Sequence, residues 1–406
     1  MDSPCSGPNG ATPALTVALV TETYPPEING VSLTLSRLVA GLRRRGHRVQ
    51  LIRPRQSRAD EAAVEADFEE VLVPGLPIPG YRGLRFGLAA RCTLRRLWQG
   101  SPPSIVHVAT EGPLGASAVA AARDLSLPVS SGYHTNFDAY SRHYRLGWLR
   151  RFVAGHLRRL HNRTDLTLVP TQELAQALGA DGYRNVGVLA RGVDTRTFSP
   201  HRRSDALRAQ WGAGPNTLVV AYVGRLAPEK NLDLVSAAYA AITRVHTDTR
   251  LLFVGDGPSR TKLASRHPQS AFAGMRRGED LASHYASADL FLFPSLTETF
   301  GNVVPEALAS GLAVVAYDCA AASDLIEDGI NGRKVAPGNT DAFVEAATEL
   351  AADAFQLMAT RGLAAQSVAH LDWECIHDRF ADILTELELA HRRRGHDEKH
   401  FVLLPD

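Results

Sequence analysis

The residues best suited to chemistry lie in one stretch, Thr297-Glu298-Thr299-Phe300-Gly301-Asn302-Val303-Val304-Pro305-Glu306-Ala307-Leu308-Ala309-Ser310-Gly311. It follows Asp289-Leu290-Phe291-Leu292-Phe293-Pro294-Ser295, an apolar run too short for a helix and stopped by proline, hence a buried strand. Pro305 has no N–H and fits only the first turn of a helix. The pattern therefore predicts a helix that starts near Asn302 and stops at Gly311. The leading amides of a helix lack partners within it, so Asn302, Val303 and Val304 offer an anion site with the positive dipole end behind them. Gly301 lets a ligand come close to the backbone. Glu298 stands before this site and Glu306 inside the first turns. Bare carboxylates repel anions but bind sugar hydroxyls. The economical ligand is a phosphate flanked by hydroxyl-bearing rings, which describes a nucleotide sugar. The plain alternative is two glutamates eight apart by chance, with Glu306 serving the helix dipole.

Two further clusters invite the same reading. Gly224-Arg225-Leu226-Ala227-Pro228-Glu229-Lys230-Asn231 follows the apolar strand Thr217 to Val223. An Arg and a Lys just past a strand can clamp a diphosphate, the first by its fork and the second as a point charge; surface charge is the bland reading. His134, in Gly132-Tyr133-His134-Thr135-Asn136-Phe137-Asp138-Ala139-Tyr140, lies at the end of a strand over Pro128 to Ser131. A histidine there is a site candidate, although a lone histidine more often serves structure.

The elements that must hold these groups alternate strand and helix. Leu15 to Val20 reads as a strand, Thr21 to Gly30 as a loop, Val31 to Arg45 as a helix closed by Gly46, and Arg48 to Arg53 as the next strand. Open α/β sheets bind ligands in such loops, but the G-x-G-x-x-G dinucleotide fingerprint is absent. Residues 54–100 form an elaborated stretch. Strands follow at Ile105 to Ala109, Asp165 to Pro170 and Val186 to Leu189, with helices over Gly112 to Arg123 and from Thr171. A second strand-first domain begins at Thr217, continues with Arg250 to Val254 and Ala313 to Tyr317, and carries helices over Glu279 to Ala288 and Asp341 to Ala364. Trp373 to Leu389 is a terminal helix.

Ser141 to Thr164 holds seven arginines and no Asp or Glu, with Trp148, Leu149, Phe152, Val153, Leu157 and Leu160 at helical spacing. A basic amphipathic helix with an aromatic anchor lies well on an anionic bilayer. A helix packed on its own domain with a solvated basic face fits the residues equally.

Taken whole, the string Glu-x-Phe-Gly-Asn-x-x-x-Glu after Phe-Pro-Ser resembles the signature of retaining GT-B glycosyltransferases of family 4. Gly224-Arg225 to Lys230-Asn231 resembles that family's Gly-Arg-x-x-x-x-Lys-Asn, and Gly255-Asp256-Gly257-Pro258 its Gly-x-Gly-Pro turn. Arg191-Gly192-Val193-Asp194 through Phe198 and Pro200 is similar to its interdomain link, with Ala190-Arg191 in place of the usual start. His134 to Tyr140 resembles the lipid-directed branch, which includes GDP-mannose-dependent α-mannosyltransferases and sulfoquinovosyl transferases. Two departures stand out. The usual Gly-Gly pair is Asn29-Gly30, where Asn tolerates a left-handed backbone, and Asp318 to Ala322 is Ala-rich where the family has Gly-Gly-x-x-Glu.

The resemblance implies an α/β protein of GT-B type, two Rossmann-like domains facing across a cleft, with a C-terminal helix crossing back to the first. The corresponding spans are a lead over 1–13, an acceptor domain over 14–190, a donor domain over 191–372, the crossover helix over 373–390 and a tail over 391–406. It implies transfer of a hexose, with mannose from GDP-mannose favoured, to a lipid or glycan acceptor with retention and without a metal or other cofactor. Alternatives are a UDP-sugar-dependent glucosyl or sulfoquinovosyl transferase and a nucleotide-sugar 2-epimerase. His134 and Glu298 would be catalytic, His134 by orienting the sugar. Gly30, Arg225, Lys230, Met275, Glu298, Phe300, Gly301, Asn302, Val303 and Glu306 would bind the donor: Arg225 and Lys230 its diphosphate, the backbone near Met275 its base, Glu298 the sugar hydroxyls and Glu306 the ribose. The lipid-directed branch favours the membrane reading of the arginine-rich helix, hence a peripheral protein at the inner face of the cytoplasmic membrane.

Composition agrees with this frame. The 406 residues are 45% hydrophobic and 21% charged, enough for about two globular domains, and a net charge of +1 gives no general pull on nucleic acid. No apolar run approaches membrane-spanning length and no signal pattern opens the chain. Cys5, Cys92, Cys319 and Cys375 show no metal or redox spacing, which points to a reducing cytoplasm.

Overall fold

The computed structural model describes residues 13–27, 29–57, 59–77, 85–133 and 147–401, with backbone alone at 147–151 and 395–401. The chain divides into two compact units, Arg191–Trp373 and the chain up to Ala190 joined by the segment from Glu374.

The strands of the first unit are β1 (Thr16–Val20), β2 (Arg48–Pro54), β3 (Val64–Glu65), β4 (Phe68–Val73), β5 (Gly75–Pro77), β6 (Arg85–Gly87), β7 (Ile105–Val108), β8 (Val129–Gly132), β9 (Leu166–Val169) and β10 (Val186–Val188). Its helices are α1 (Gly30–Arg44), α2 (Arg91–Gly100), α3 (Pro113–Asp124), α4 (Gly147–His161) and α5 (Gln172–Ala180). Among the described residues eight strands form one sheet in the order β10-β9-β8-β7-β1-β2-β4-β3, parallel but for β3. The strands are short and apolar because both faces are covered. Gln50 and Arg53 are the buried polar residues of β2, Arg53 paired with Asp60 and Glu70. Gln50 is buried because its Oε1 accepts from Trp98 Nε1 at 3.0 Å.

The second unit holds β11 (Leu218–Val223), β12 (Thr249–Val254), β13 (Ala271–Gly274), β14 (Leu290–Phe293), β15 (Ala313–Tyr317) and β16 (Gly332–Val335). Its helices are α6 (Asp205–Gln210), α7 (Leu232–Val245), α8 (Arg260–Arg266), α9 (Gly278–Ala286), α10 (Val303–Ala309), α11 (Ala320–Leu325), α12 (Thr340–Ala352) and α13 (Ala354–Ser367). The sheet order is β13-β12-β11-β14-β15-β16, all parallel. This is the doubly wound Rossmann order, which reverses between β11 and β14 and opens a crevice at their carboxyl ends. Asp289 fixes the start of β14. It is nearly buried, and it pairs with Arg203 and Arg361 at 2.9 Å and with Arg208 at 3.0 Å.

Two local expectations change. The helix expected over Asp341 to Ala364 is two helices, because Asp353 leaves helical geometry (φ −103°, ψ 95°) and its side chain caps α13 at the Gln356 amide, 2.9 Å away. The last helix, α14 (Trp373–Phe401), runs past Leu389 into the expected tail. Polar pairs extend it: Glu388 with Arg392 one turn on, and Arg394 with Asp165 at 3.8 Å. From Glu374 the helix belongs to the first unit, where Phe380 meets His107 edge-on at 5.0 Å and Arg45 holds Asp378 at 2.6 Å. Cys92 and Cys319 are free thiols.

Candidate functional site

The second unit gathers most of the expected groups at its switch point. β11 delivers Gly224 to Asn231 and β14 delivers Ser295 to Asn302, so the two loops emerge side by side. Lys230 ends a short 3-10 turn opened by Pro228. Its Nζ donates to Glu298 Oε1 at 2.5 Å, with the two side chains only 18% and 19% exposed. The Ser295 hydroxyl donates to the same oxygen at 2.8 Å. Glu298 is thus held from two sides before any ligand arrives. Arg225 is 68% exposed and meets Glu229 at a loose 3.4 Å, which leaves its fork available to an incoming anion.

α10 begins where Pro305 and Asn302 predicted. Gly301 adopts φ +85°, a conformation that favours glycine. A Cβ there would meet only ordinary contacts, so the backbone conformation, and not crowding, requires glycine. One part of the anion site is corrected: the Val304 amide already donates to Gly301 O at 3.0 Å, so the pair to consider is Asn302 and Val303. The helix ends at Ala309, with Gly311 in left-handed conformation two residues on. Glu306 lies in the first turns and accepts from the hydroxyl of fully buried Tyr285 at 3.1 Å. Burial and the nearby Glu306 charge push the Tyr285 hydroxyl pKa well up, so it stays a neutral donor. Phe300 is buried, and Met275, just past β13, is 65% exposed.

Other expectations are redirected. The glycines of Gly255-Asp256-Gly257 face the protein. A Cβ on Gly255 would lie 2.0 Å from Gly224 O, and one on Gly257 2.4 Å from Leu226 O. Adjacent parallel strands deliver both turns to the same edge, and glycine lets them close on each other. In the first unit Asn29 does not use left-handed backbone. It is extended at φ −148° and caps α1, its side chain accepting from the Ser32 amide at 2.8 Å, with Gly30 as the first helical residue. His134 lies outside the described residues.

Sequence reasoning passed over several groups. Ser295 and Tyr285 each support a named glutamate, and neither position can be paired with it from the sequence. Arg191 lies over Phe300, 5.9 Å from the ring centroid. At the switch point of the first sheet, between β1 and β7, Glu22 accepts from the Leu114 amide at 3.0 Å and closes the start of α3. A Cβ on Gly112 would lie 2.0 Å from the Glu22 carboxylate, so any larger residue there would push that carboxylate off the start of α3. Burial, with help from Glu111, pushes Glu22 up to about 7 against the pull of backbone amides. An acid directly after the first strand of a parallel sheet was the available signal.

α4 buries Leu157, Leu160 and His161 and leaves Phe152 71% exposed. Arg158 donates to the Asp181 carbonyl at 2.9 Å, and Arg159 is exposed. Arg142 and Arg145 lie outside the described residues, as do the side chains of Trp148, Leu149, Arg150 and Arg151. No helix among the described residues is long and apolar enough to cross a membrane.

The two Rossmann sheets match the fold of solved glycosyltransferases. Sucrose-phosphate synthase from Thermosynechococcus elongatus aligns with a TM-score of 0.72 at 18% identity, over 92% of this chain and 99% of that one. WaaG, a glycosyltransferase involved in lipopolysaccharide biosynthesis, aligns with a TM-score of 0.63 at 20% identity, over 91% and 99%. The fold is that of the GT-B glycosyltransferases. Residues 28–197 match the profile described as Glycosyltransferase Family 4, and residues 217–353 that described as Glycosyl transferases group 1. A GDP-mannose-dependent alpha-mannosyltransferase of Mycobacterium tuberculosis is 37% identical over 314 residues, 76% of this chain and 81% of that protein. A sulfoquinovosyl transferase of Arabidopsis thaliana is 30% identical over 355 residues, 84% and 68%. The chain belongs to glycosyltransferase family 4 and is a glycosyltransferase.

Proposed function

We propose that the protein transfers a hexose, mannose from GDP-mannose, to a lipid or glycan acceptor with retention at the anomeric carbon. The observation that carries this reading is the trio Lys230, Glu298 and Ser295 at the second switch point, beside Arg225 and the start of α10. Lys230 and Arg225 neutralise the leaving diphosphate, and the Asn302 and Val303 amides hold one of its oxygens. Glu298 takes the sugar hydroxyls. Glu306, steadied by Tyr285, takes the ribose, and the backbone near Met275 takes the base. Neither glutamate acts as a nucleophile. The sugar leaves and is captured on one face, assisted by the diphosphate, with His134 orienting it. No metal is required, since the two cations and the helix start do its work on the leaving group. The mannose assignment draws on the mycobacterial relative.

A second reading is a UDP-sugar-dependent glucosyl or sulfoquinovosyl transfer; the sugars are those named for the Arabidopsis sulfoquinovosyl transferase and for the alpha-monoglucosyldiacylglycerol synthase of Streptococcus pneumoniae, 26% identical over 78% of this chain and 74% of that protein. The diacylglycerol in the name of the second relative also suits a lipid acceptor. The basic face of α4 with exposed Phe152 supports reversible attachment to the inner face of the membrane. A thermal-shift screen of GDP-, UDP- and ADP-sugars tests the donor. GDP-mannose should give the largest shift, and a larger shift with a UDP-sugar would replace it.

A further inference from the structure

Arg191 is the first residue of the second unit and carries a charge that its surroundings do not pair. Its Nε is buried without a hydrogen-bond partner, and among the described residues the side chain makes no ion pair. Its guanidinium rests over the ring of buried Phe300, a contact that fixes its place through the ring's negative face. Burial draws the group below its ordinary range, and the nearby Glu298 carboxylate opposes that shift. A half-buried cation without a partner is costly to keep, and such groups collect at functional sites.

Glu298 supplies the reason. Its Oε1 is held by Lys230 at 2.5 Å and Ser295 at 2.8 Å. Lys230 is also the cation that a donor diphosphate would take. An ammonium has three donors but one charge, and two phosphate groups draw that charge away from the carboxylate. Ser295 offers a hydrogen bond and no charge. Tyr222, which also senses Glu298, stays a neutral phenol because burial and Glu298 both push its pKa up. Arg191 is a further cation that Glu298 acts on.

We propose that Arg191 is a positioning residue: when the donor's diphosphate takes up Lys230, the Arg191 guanidinium becomes the counter-charge that holds the Glu298 carboxylate in place for the sugar hydroxyls. This rests on the donor-site reading above. It makes the site exchange partners, with Lys230 serving Glu298 before binding and Arg191 serving it afterwards.

The test compares the full-length protein with Arg191→Lys, Arg191→Met and Arg191→Gln. Isothermal titration uses GDP, UDP and GDP-mannose, kinetics give kcat and KM, and thermal melts check folding. The uncharged variants should bind GDP within about twofold of wild type and lose at least tenfold in kcat, along with most of the affinity that the sugar adds. Arg191→Lys should recover most of that loss, because charge is what Glu298 needs. Equal loss of GDP and GDP-mannose binding would mean a direct phosphate contact and overturn the proposal. Unchanged kcat in both uncharged variants, or no recovery in a well-folded Arg191→Lys, would overturn it too. A wild-type protein that binds neither GDP nor UDP defeats the donor-site reading itself, and this shows in the first titration. If Arg191→Met does not fold, Arg191→Gln carries the comparison. If neither folds while Arg191→Lys does, Arg191 supports the fold and the proposal fails.

Discussion

Removing the Lys230 ammonium tests the site at its tightest contact. Lys230→Met keeps the aliphatic stem and leaves Glu298 with Ser295 alone as a hydrogen-bond donor among the contacts described above. Breaking a fully buried ion pair from one side costs about 3–5 kcal/mol. Here each side chain keeps about a fifth of its surface in water, so the cost should fall to about 2 kcal/mol. Glu298→Gln preserves the shape and the acceptor oxygen but removes the charge. A double-mutant cycle by urea melts should therefore give a coupling of about 1–2 kcal/mol between the two positions. Turnover should respond more strongly, since loss of one preorganised group facing a leaving anion costs about 10²–10³ in kcat. The assay is release of nucleoside diphosphate at saturating donor. Wild-type stability and turnover in Lys230→Met, or strict additivity in the cycle, would refute the assignment of Lys230 to both partners.

Other consequences are as direct. Glu306→Ala should act on donor KM, and Tyr285→Phe should raise that KM roughly tenfold, as loss of one hydrogen bond to a carboxylate allows (about 1.5 kcal/mol); a pure kcat effect in either would contradict the ribose role. Glu22 is raised in the fold to about 7 from an ordinary 4.5, so folding favours its protonated form. Its destabilising effect is absent below about pH 4.5, grows as pH rises, and levels off above about pH 7 at about 3 kcal/mol. Melts from pH 5 to 8 should show this fall in wild type and a flatter line in Glu22→Gln; parallel lines would contradict it. Ala320 sits at φ +51°, where alanine costs about 1–2 kcal/mol. The greater unfolded-state freedom of glycine takes back about 0.4–1 kcal/mol, so Ala320→Gly should stabilise by about 0.5 kcal/mol in a urea melt; destabilisation would mean the methyl group packs usefully. In liposome flotation the protein should bind phosphatidylglycerol vesicles at low salt and leave them at high salt. Ser at Arg150, Arg151 and Arg159 with Phe152→Ser should abolish this, Arg158 being left intact because it holds the Asp181 carbonyl. Indifference of wild type to anionic vesicles would make α4 an ordinary solvated face.

The frame was legible because its signals are local. Pro294 stops β14, Pro305 opens α10 and Gly311 follows its end, and each acts through its own backbone. The groups that support the site were less legible because their partners are distant in sequence. Nothing near Glu298 announces Lys230, 68 residues earlier, and nothing near Glu306 announces Tyr285, 21 residues earlier. Gly255 and Gly257 were visible as turn glycines, but only packing reveals that they meet Gly224 and Leu226. Asn29 was read for its backbone tolerance, whereas its side chain found a closer use as a cap. Asp353 ends one helix and caps the next, two roles that the apolar periodicity across it conceals.

The most direct measurement follows the sugar itself. GDP-[14C]mannose and labelled UDP-glucose should each be incubated with the full-length protein, a bacterial lipid extract and excess EDTA, and the organic phase examined. Label should enter lipid from GDP-mannose, the new linkage should be α by NMR, and EDTA should make no difference. Transfer from UDP-glucose alone, label recovered only as free sugar or nucleotide, a β-linked product, or dependence on added Mg²⁺ or Mn²⁺ would contradict a retaining, metal-independent mannosyl transfer.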